Sequence, residues 1–399
     1  MGIKKKRIMI KLEEAINILN KTVLGQKSVE KVDLENSVNR VLAEDVFSDM
    51  DFPSFNKSAM DGFAIRSSEI AMKLIVIEFI PAGKKPEKTV ESGCCSKIMT
   101  GAMLPEGADM VVMQEDVEQE GDVISIVNHK SKSNILFQAE DVKKGSLVLQ
   151  KGKVISPVHI GILASVGKSK PLVYVKPKLS IISTGNELVS PEEKPIPPKI
   201  RNSNSVQLLS LANNLGAETK NLGQVEDSEE VIFNAVKNAM ESSDIVVLTG
   251  GASVGDYDFT ADVFNRLNAK THFTRLAIQP GKPVLFATVN NKYLFGLSGN
   301  PVSSFVQFQL LVKPLIAKLL GNISETKIFK LPISTLKKRK KAERLLFFPV
   351  RINENMEAEP IDYHGSAHLN AYQNADAMAC FPIGKNELEK GEIVDVRFI

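Results

Sequence analysis

The spacing of apolar residues changes along the chain, and each change predicts a different architecture. Residues 11–23 carry Leu12, Ala15, Ile16 and Leu19 at helical spacing. From about 45 to 175, short β-rich runs such as "DMVVMQEDV", "GDVISIVN" and "GSLVLQKG" alternate with Gly, Pro and charged turns, which predicts strands in small domains. Within this region "FNKSAMDGFAI" places Asp61-Gly62 between short apolar runs, a hairpin signal whose plainest meaning is a turn.

From about 177 to 320 the pattern alternates. "KLSIIST", "DIVVLTGG" and "YLFGLSG" read as buried strands, and "SNSVQLLSLANNLG" as a helix ended by Gly216. "DSEEVIFNAVKNAMESS" reads as a helix capped by Asp227 or Ser228, with Glu229-Glu230 in its first turn, where negative charge suits the helix dipole. Asn300-Pro301 opens a long helix that Pro314 kinks and Gly321 closes. Strands alternating with helices predict a parallel sheet covered on both faces. The segment 321–399 returns to strands, in "RLLFFPVRI", "AMACFPI" and "EIVDVRFI".

Ligands bind open α/β sheets at the carboxyl ends of the strands. Three loops leave such ends here: "TGNEL" at 184–188, "TGGASVGDYDF" at 249–259 and "LSGNPVSS" at 297–304. Glycine lets each backbone approach a ligand closely and offers peptide N–H groups to anions, and the third loop runs into a helix N-terminus. None matches a phosphate-binding Walker loop or a dinucleotide fingerprint, so the three together point to a phosphorylated or nucleotide-like ligand of another kind. Glu187, Asp227, Asp256 and Asp258 accompany the glycines, a combination that suits Mg²⁺ bridging phosphate to protein, although each Asp could equally cap a helix. Arg275 and Lys282 supply cations nearby.

Composition adds limits. The 399 residues exceed one ordinary core, and 50 basic against 47 acidic residues give a net charge of +3, no global reason to expect nucleic acid or an anionic membrane. Three cysteines, two of them adjacent at Cys94 and Cys95 and the third at Cys380, form neither a disulfide framework nor a zinc spacing. The start "MGIKKKRIMI" lacks the apolar run of a signal peptide, and no apolar segment is read as long enough to span a bilayer; a cytoplasmic location is expected. His364 and His368 are four apart, but Gly365-Ser366 argues against the helix that would align them on a metal. The basic run Lys337 to Lys341 reads as a solvated turn or strand edge before it reads as an anion site.

Taken in order across residues 50–305, "SAMDGFAI", "MTGAMLPEGAD", "STGNEL", "GGASVGDYDF", "PGKP" and "GNPVSS" resemble the molybdopterin molybdenumtransferase family, the MoeA proteins and the related gephyrin E-domain. The resemblance covers essentially the whole chain. It implies an α/β plus β fold in an elongated, multidomain subunit. A discontinuous N-terminal domain would comprise 1–47 and 147–176, with a β-rich inserted domain at 48–146. A parallel-sheet α/β domain at 177–320 would resemble the adenylylating partner enzyme, and a C-terminal β-barrel-like domain would follow at 321–399. The family inserts molybdate into molybdopterin, consuming the adenylylated form and releasing AMP with Mg²⁺, as a homodimer with an intersubunit active site.

Position by position, the resemblance implies catalytic roles for Asp61, Glu187, Asp227 and Asp258, with Asp227 and Asp258 as metal ligands. Asp61 would reach the cleft of the other subunit, as a base or as a further metal ligand. The implied substrate-binding residues are Thr100, Gly250, Gly251, Ser253, Gly255, Arg275, Lys282, Ser298, Asn300, Pro301 and Ser366. Departures from the family pattern remove cations: "NILFQAED" at 134–141 lacks arginines, Gln279 stands for a lysine, and Pro349 for an arginine, although Arg351 remains. Ser298 replaces a proline, and Asn370-Ala371 replace serines. Each lost charged hydrogen bond weakens anion binding by about 1.5–3 kcal/mol. This thinning leaves two other readings: a non-catalytic dimeric pterin-binding or scaffolding paralogue, and a relative that prefers tungstate.

Overall fold

Adjacent residues of the strand Lys178–Thr184 face opposite cores. Ile181 packs with Leu208 and Phe295 on one side of the sheet, and Ile182 with Ile232 and Leu248 on the other. A strand reads as a continuous apolar run only when both faces are covered. The computed structural model describes residues 9–22, 28–130, 132–250, 259–322 and 327–399.

The sheet has seven strands, in the order Met9–Ile10, Lys270–Leu276, Pro283–Val289, Lys292–Leu297, Ile245–Thr249, Lys178–Thr184, Glu218–Val225. The last four are parallel, as the alternating pattern predicts. The sheet as a whole is mixed: Pro283–Val289 is antiparallel to both of its neighbours, a hairpin extension that the coarse α/β reading omitted. Helices Leu12–Thr22 and Ser203–Asn214 cover one face with the helix that begins at Pro301. Helices Glu229–Ser242 and Thr260–Arg266 cover the other.

The helix predicted from Asn300-Pro301 runs from Pro301 to Leu319 and ends before Gly321, whose φ of 75° stops it. A π-helical stretch, Phe308–Val312, lies directly before Pro314 and opens room for a residue that has no N–H and crowds the preceding turn. This helix is long and apolar enough to cross a membrane, contrary to the sequence reading; its apolarity belongs to the core in which most of it is buried.

Segments 29–47 and 147–174 pair with each other through Val29–Lys31 with Leu172–Tyr174 and Val46–Phe47 with Leu147–Leu149. Between them stands a six-stranded sheet, ordered Met110–Met113, Gly62–Ile65, Cys94–Ile98, Lys73–Ile80, Val123–Ile126, Val117–Glu120, with its own core around Phe63, Leu74 and Ile124. The expected Asp61-Gly62 hairpin does not form. Lys57–Ser58 pairs with Ile135–Leu136 in a separate ribbon, while Gly62–Ile65 enters the six-stranded sheet. Gly62 is required there by close packing, because a Cβ would lie 1.9 Å from the Val112 carbonyl oxygen.

The C-terminal sheet contains Leu345–Ile352, Ala377–Phe381, Ile393–Phe398 and Phe329–Pro332, with Ala358–Pro360 paired to the first of them. Its edge strand, Ile278–Gln279, comes from the α/β segment. The "PGKP" turn therefore sits at the junction of two sheets. The basic run starts in a two-stranded ribbon with Lys338, Lys340 and Lys341 exposed; Lys337 lies 4.7 Å from the Phe348 ring centroid, Lys338 pairs with Glu387 at 3.0 Å, and Arg339 donates to the carbonyls of Lys385 and Arg344.

Candidate functional site

The loops at the carboxyl ends of the parallel strands meet through glycine. Gly250, following Ile245–Thr249, has φ 91°, and a Cβ there would lie 2.2 Å from the Thr184 carbonyl oxygen. Gly299, in the loop after Lys292–Leu297, brings its own Cβ position to 3.5 Å from the Gly250 Cα. The hydroxyls of Ser183 and Thr249 are 3.0 Å apart, tying neighbouring strand ends together, and Asn204 Nδ2 donates to the Gly299 carbonyl at 2.7 Å. A side chain at Gly250 would push its loop away from Thr184, whereas a Cβ at Gly299 would just touch Gly250. Gly251, Ser253, Gly255, Asp256 and Asp258 lie outside the described residues.

The carboxylates that are described gather on one side of this meeting point. Glu187 folds back over Gly185, whose Cβ position is 2.6 Å from Glu187 Oε2. The Asp227 backbone N–H donates to Asn186 Oδ1 at 3.5 Å, bringing the loop after Glu218–Val225 to the "TGNEL" loop. Asp227 does not cap the following helix; Ser228 holds that position, without a side-chain capping bond. Asp227 Oδ1 is buried with no hydrogen-bond partner, and burial, with the Glu187 charge second, raises its pKa above the ordinary carboxylate value. An unpartnered carboxylate oxygen beside a second acid fits a hard divalent cation, which takes oxygen ligands and, when small, keeps several waters. Among the described residues no group of three potential ligands forms.

Asp227 also sets a pH dependence. Its folded pKa lies above its unfolded value, so the native state holds the proton more tightly. Stability therefore falls as pH rises from the unfolded value through the raised folded value, and it stays lower above that window. Asp227→Asn is expected to melt at a higher temperature than the parent at pH 7 in chelator, with the difference closing as pH approaches about 4. Thermal melts across that range check it.

Beside the loops lies a cavity of about 380 Å³ between the α/β sheet and the C-terminal segment. Lys282, Ser298, Asn300 and Ser366 line it, so four of the sequence-derived site residues converge there. Asn300 holds the N-cap position of the Pro301 helix but makes no side-chain capping bond, which leaves its amide to the cavity. The Val302 N–H donates to the Ser366 carbonyl at 3.0 Å and fixes the C-terminal loop on the helix start. A helix N-terminus with a lysine beside it attracts anions.

Residues that the sequence reading passed over complete the cavity. Arg344 lines it and donates to the Ile278 carbonyl at 3.3 Å, placing a cation on the wall that also holds Gln279. Gln307 is fully buried and acts as a staple: its Oε1 accepts from the Ser298 N–H at 2.9 Å, and its Nε2 donates to the Gly281 and Pro283 carbonyls at 2.9 and 2.6 Å. Pro301 sits in the first helical turn, and Arg275 lies on Lys270–Leu276 opposite Pro283, outside the cavity wall. Arg351 is bonded to Glu359 at 2.7 Å and does not line the cavity. Nor does it make up for Pro349, which sits in the middle of its strand. His364 and His368 stack with ring centroids 5.1 Å apart.

Asp61 and Thr100 stand together on the inserted sheet and do not line this cavity. Asp61 Oδ1 accepts from both the Thr100 backbone N–H and its hydroxyl, each at 2.7 Å, and these two bonds, the backbone one first, hold the Asp61 carboxylate below its ordinary pKa. Its charged form is therefore fixed in place.

Fold and site together define a multidomain α/β protein with a polar cavity, lined by Lys282 and Arg344, shared between its central and C-terminal sheets. Three family models match in sequence: the MoeA N-terminal region, domains I and II, over residues 10–167; a probable molybdopterin-binding domain over 180–318; and the MoeA C-terminal region, domain IV, over 334–399. Molybdopterin molybdenumtransferases of Staphylococcus epidermidis and Staphylococcus aureus are 36% and 35% identical, each over 98% of this chain and 96% of theirs. A crystal structure of the molybdopterin biosynthesis MoeA protein from Pyrococcus horikoshii superposes with a TM-score of 0.85 at 32% identity, over 98% of this chain and 100% of that one. The chain belongs to the molybdopterin molybdenumtransferase family.

Proposed function

We propose that this protein carries out the metal-insertion step of molybdenum cofactor biosynthesis, taking adenylylated molybdopterin and molybdate and releasing AMP in a Mg²⁺-dependent reaction. The observation that carries this reading is the convergence of Lys282, Ser298, Asn300 and Ser366 on one cavity at a helix N-terminus. Both substrates are anions. Lys282 and Arg344 would neutralise them, while Ser298, Asn300 and Ser366 offer hydrogen bonds that orient oxyanion groups. Glycines 250 and 299 let a phosphate-bearing ligand reach the strand ends without meeting a side chain.

Mg²⁺ held by Asp227 and Glu187, with Asp258 as the remaining acid of the set, would offset the charge of the phosphoanhydride. Asp61 is the candidate for orienting or deprotonating the attacking water; it is ionised at neutral pH, and the lowered pKa that keeps it so favours orienting the water over taking its proton. It does not line the cavity of its own subunit, which supports a homodimer in which Asp61 and Thr100 complete the neighbouring subunit's site. A cytoplasmic location accords with soluble, anionic substrates.

The catalytic reading outweighs the scaffolding one because Arg344 restores a cation beside Gln279. AMP release from adenylylated molybdopterin, measured with Mg²⁺ and with or without molybdate, tests it. Molybdate-dependent release is expected; saturable binding with release at the background rate would establish the scaffolding paralogue instead. Replacing molybdate with tungstate in the same assay separates the third reading. Mg²⁺ alone should raise the melting temperature of the parent and leave Asp227→Asn unmoved.

A further inference from the structure

The far end of the Pro301–Leu319 helix lines a second cavity, of about 330 Å³, against the C-terminal sheet. That is within the size range of small-molecule sites. Its wall carries three cations, Lys313, Lys327 and Arg397, and among the described residues no carboxylate, with Phe329 and Met378 among its apolar residues. Gln309 lines it too, 7% exposed and without a side-chain hydrogen bond among the described residues. The π-helical stretch holds Gln309, and Lys313 follows four residues later on the same face.

The cations are poised rather than spent. Lys313 makes no ion pair or hydrogen bond among the described residues, and burial lowers its pKa. The Arg397 guanidinium sits 5.5 Å from the Phe347 ring centroid, which orients it while leaving its N–H donors free. The acid on the same strand face, Asp395, is in register with Lys330 and lies outside the cavity wall. Three cations and an amide without partners among the described residues, set beside aromatic and thioether walls, suit a ligand that is dianionic at one end and apolar at the other.

We infer that this cavity is a second ligand site, distinct from the one at Lys282, and that it takes a phosphate monoester with a small apolar body. The phosphate would sit among Lys313, Arg397 and Gln309, and the apolar body against Phe329 and Met378.

Phenyl phosphate is the probe, titrated calorimetrically into the purified full-length chain. Saturable binding is expected, weakened about tenfold or more in Lys313→Met and in Arg397→Leu, since each removes a charged hydrogen bond. Binding should be unchanged in Lys282→Ala, and much weaker for inorganic phosphate and for benzyl alcohol, which each offer half of the recognition. Lys313→Met should fold at least as well as the parent, because it replaces a desolvated amine with a side chain of similar length. Ala317→Phe, which fills the cavity without altering a charge, should also abolish binding. Parent-like affinity in Lys313→Met and in Arg397→Leu, loss of binding in Lys282→Ala, or no saturable binding in the millimolar range would each overturn the assignment.

Discussion

Asp61→Asn should lower molybdate-dependent AMP release by about 10²–10⁴-fold, the usual contribution of a positioned acid or base. Folding should survive the change. Both bonds from Thr100 go to a single oxygen, Oδ1, and an asparagine presents an oxygen at the same place. The expected phenotype is therefore a collapse of turnover with an unchanged melting temperature and unchanged dimerisation. Subunit mixing then locates the site. In a hybrid of Asp61→Asn and Asp227→Asn subunits, one composite site carries both lesions and the other carries neither. Equal mixing of freely exchanging subunits should restore roughly a quarter of the parent activity, given a two-fold dimer. Absence of recovery, with exchange demonstrated by differently tagged subunits, would mean that Asp61 serves its own chain.

The second large effect is expected at a residue that touches no reacting group. Gln307→Ala removes three hydrogen bonds in a fully buried position and strands the Ser298 N–H and the carbonyls of Gly281 and Pro283. Buried groups left unsatisfied cost about 1–3 kcal/mol each, softened by relaxation, so a loss of about 2–4 kcal/mol in unfolding free energy is expected. Because the stapled loops carry Lys282 and Asn300, KM should rise more than kcat falls. Gln307→Glu gives the sharper comparison. A carboxylate can still accept from the Ser298 N–H, but it cannot donate to either carbonyl, so it should destabilise at least as much as alanine. Chemical denaturation of the three proteins measures this, and equal stability of the glutamate variant and the parent would remove the staple from the account.

The parallel strands and their loops were legible because burial on both faces writes itself as uninterrupted apolar runs such as "KLSIIST" and "DIVVLTGG". Lys282, Ser298, Asn300 and Ser366 were placed by motif, and their convergence depends on Ile278–Gln279 pairing with Leu345–Leu346, a strand addition with no local signature. Gln307 was invisible for a related reason. Its donors find partners 24 and 26 residues away, and inside an apolar helix it reads as a polar interruption. Arg344 was passed over beside the more conspicuous run Lys337 to Lys341, in which Lys337, Lys338 and Arg339 are occupied by aromatic rings, carbonyls and Glu387. The Asp61-Gly62 hairpin misled because the step into the strand is demanded by the Val112 backbone against Gly62, and hairpin statistics are silent about such packing.

The sharing of one apolar core between the central and C-terminal sheets bears on how such a chain can change over time. Phe347, Met378 and Cys380 from the C-terminal sheet pack with Phe273, Phe295 and Leu311, whereas the inserted sheet keeps its own core around Phe63, Leu74 and Ile124. As a folding unit the inserted sheet can therefore be enlarged or rebuilt as a cassette, with only its two junctions to heal, provided that the Asp61–Thr100 pair is kept. The C-terminal sheet cannot be traded that way, since its removal would strip the lid from the buried side chains of its neighbour. Variation should accumulate in the cassette away from Asp61 and Thr100, and the two fused sheets should drift together.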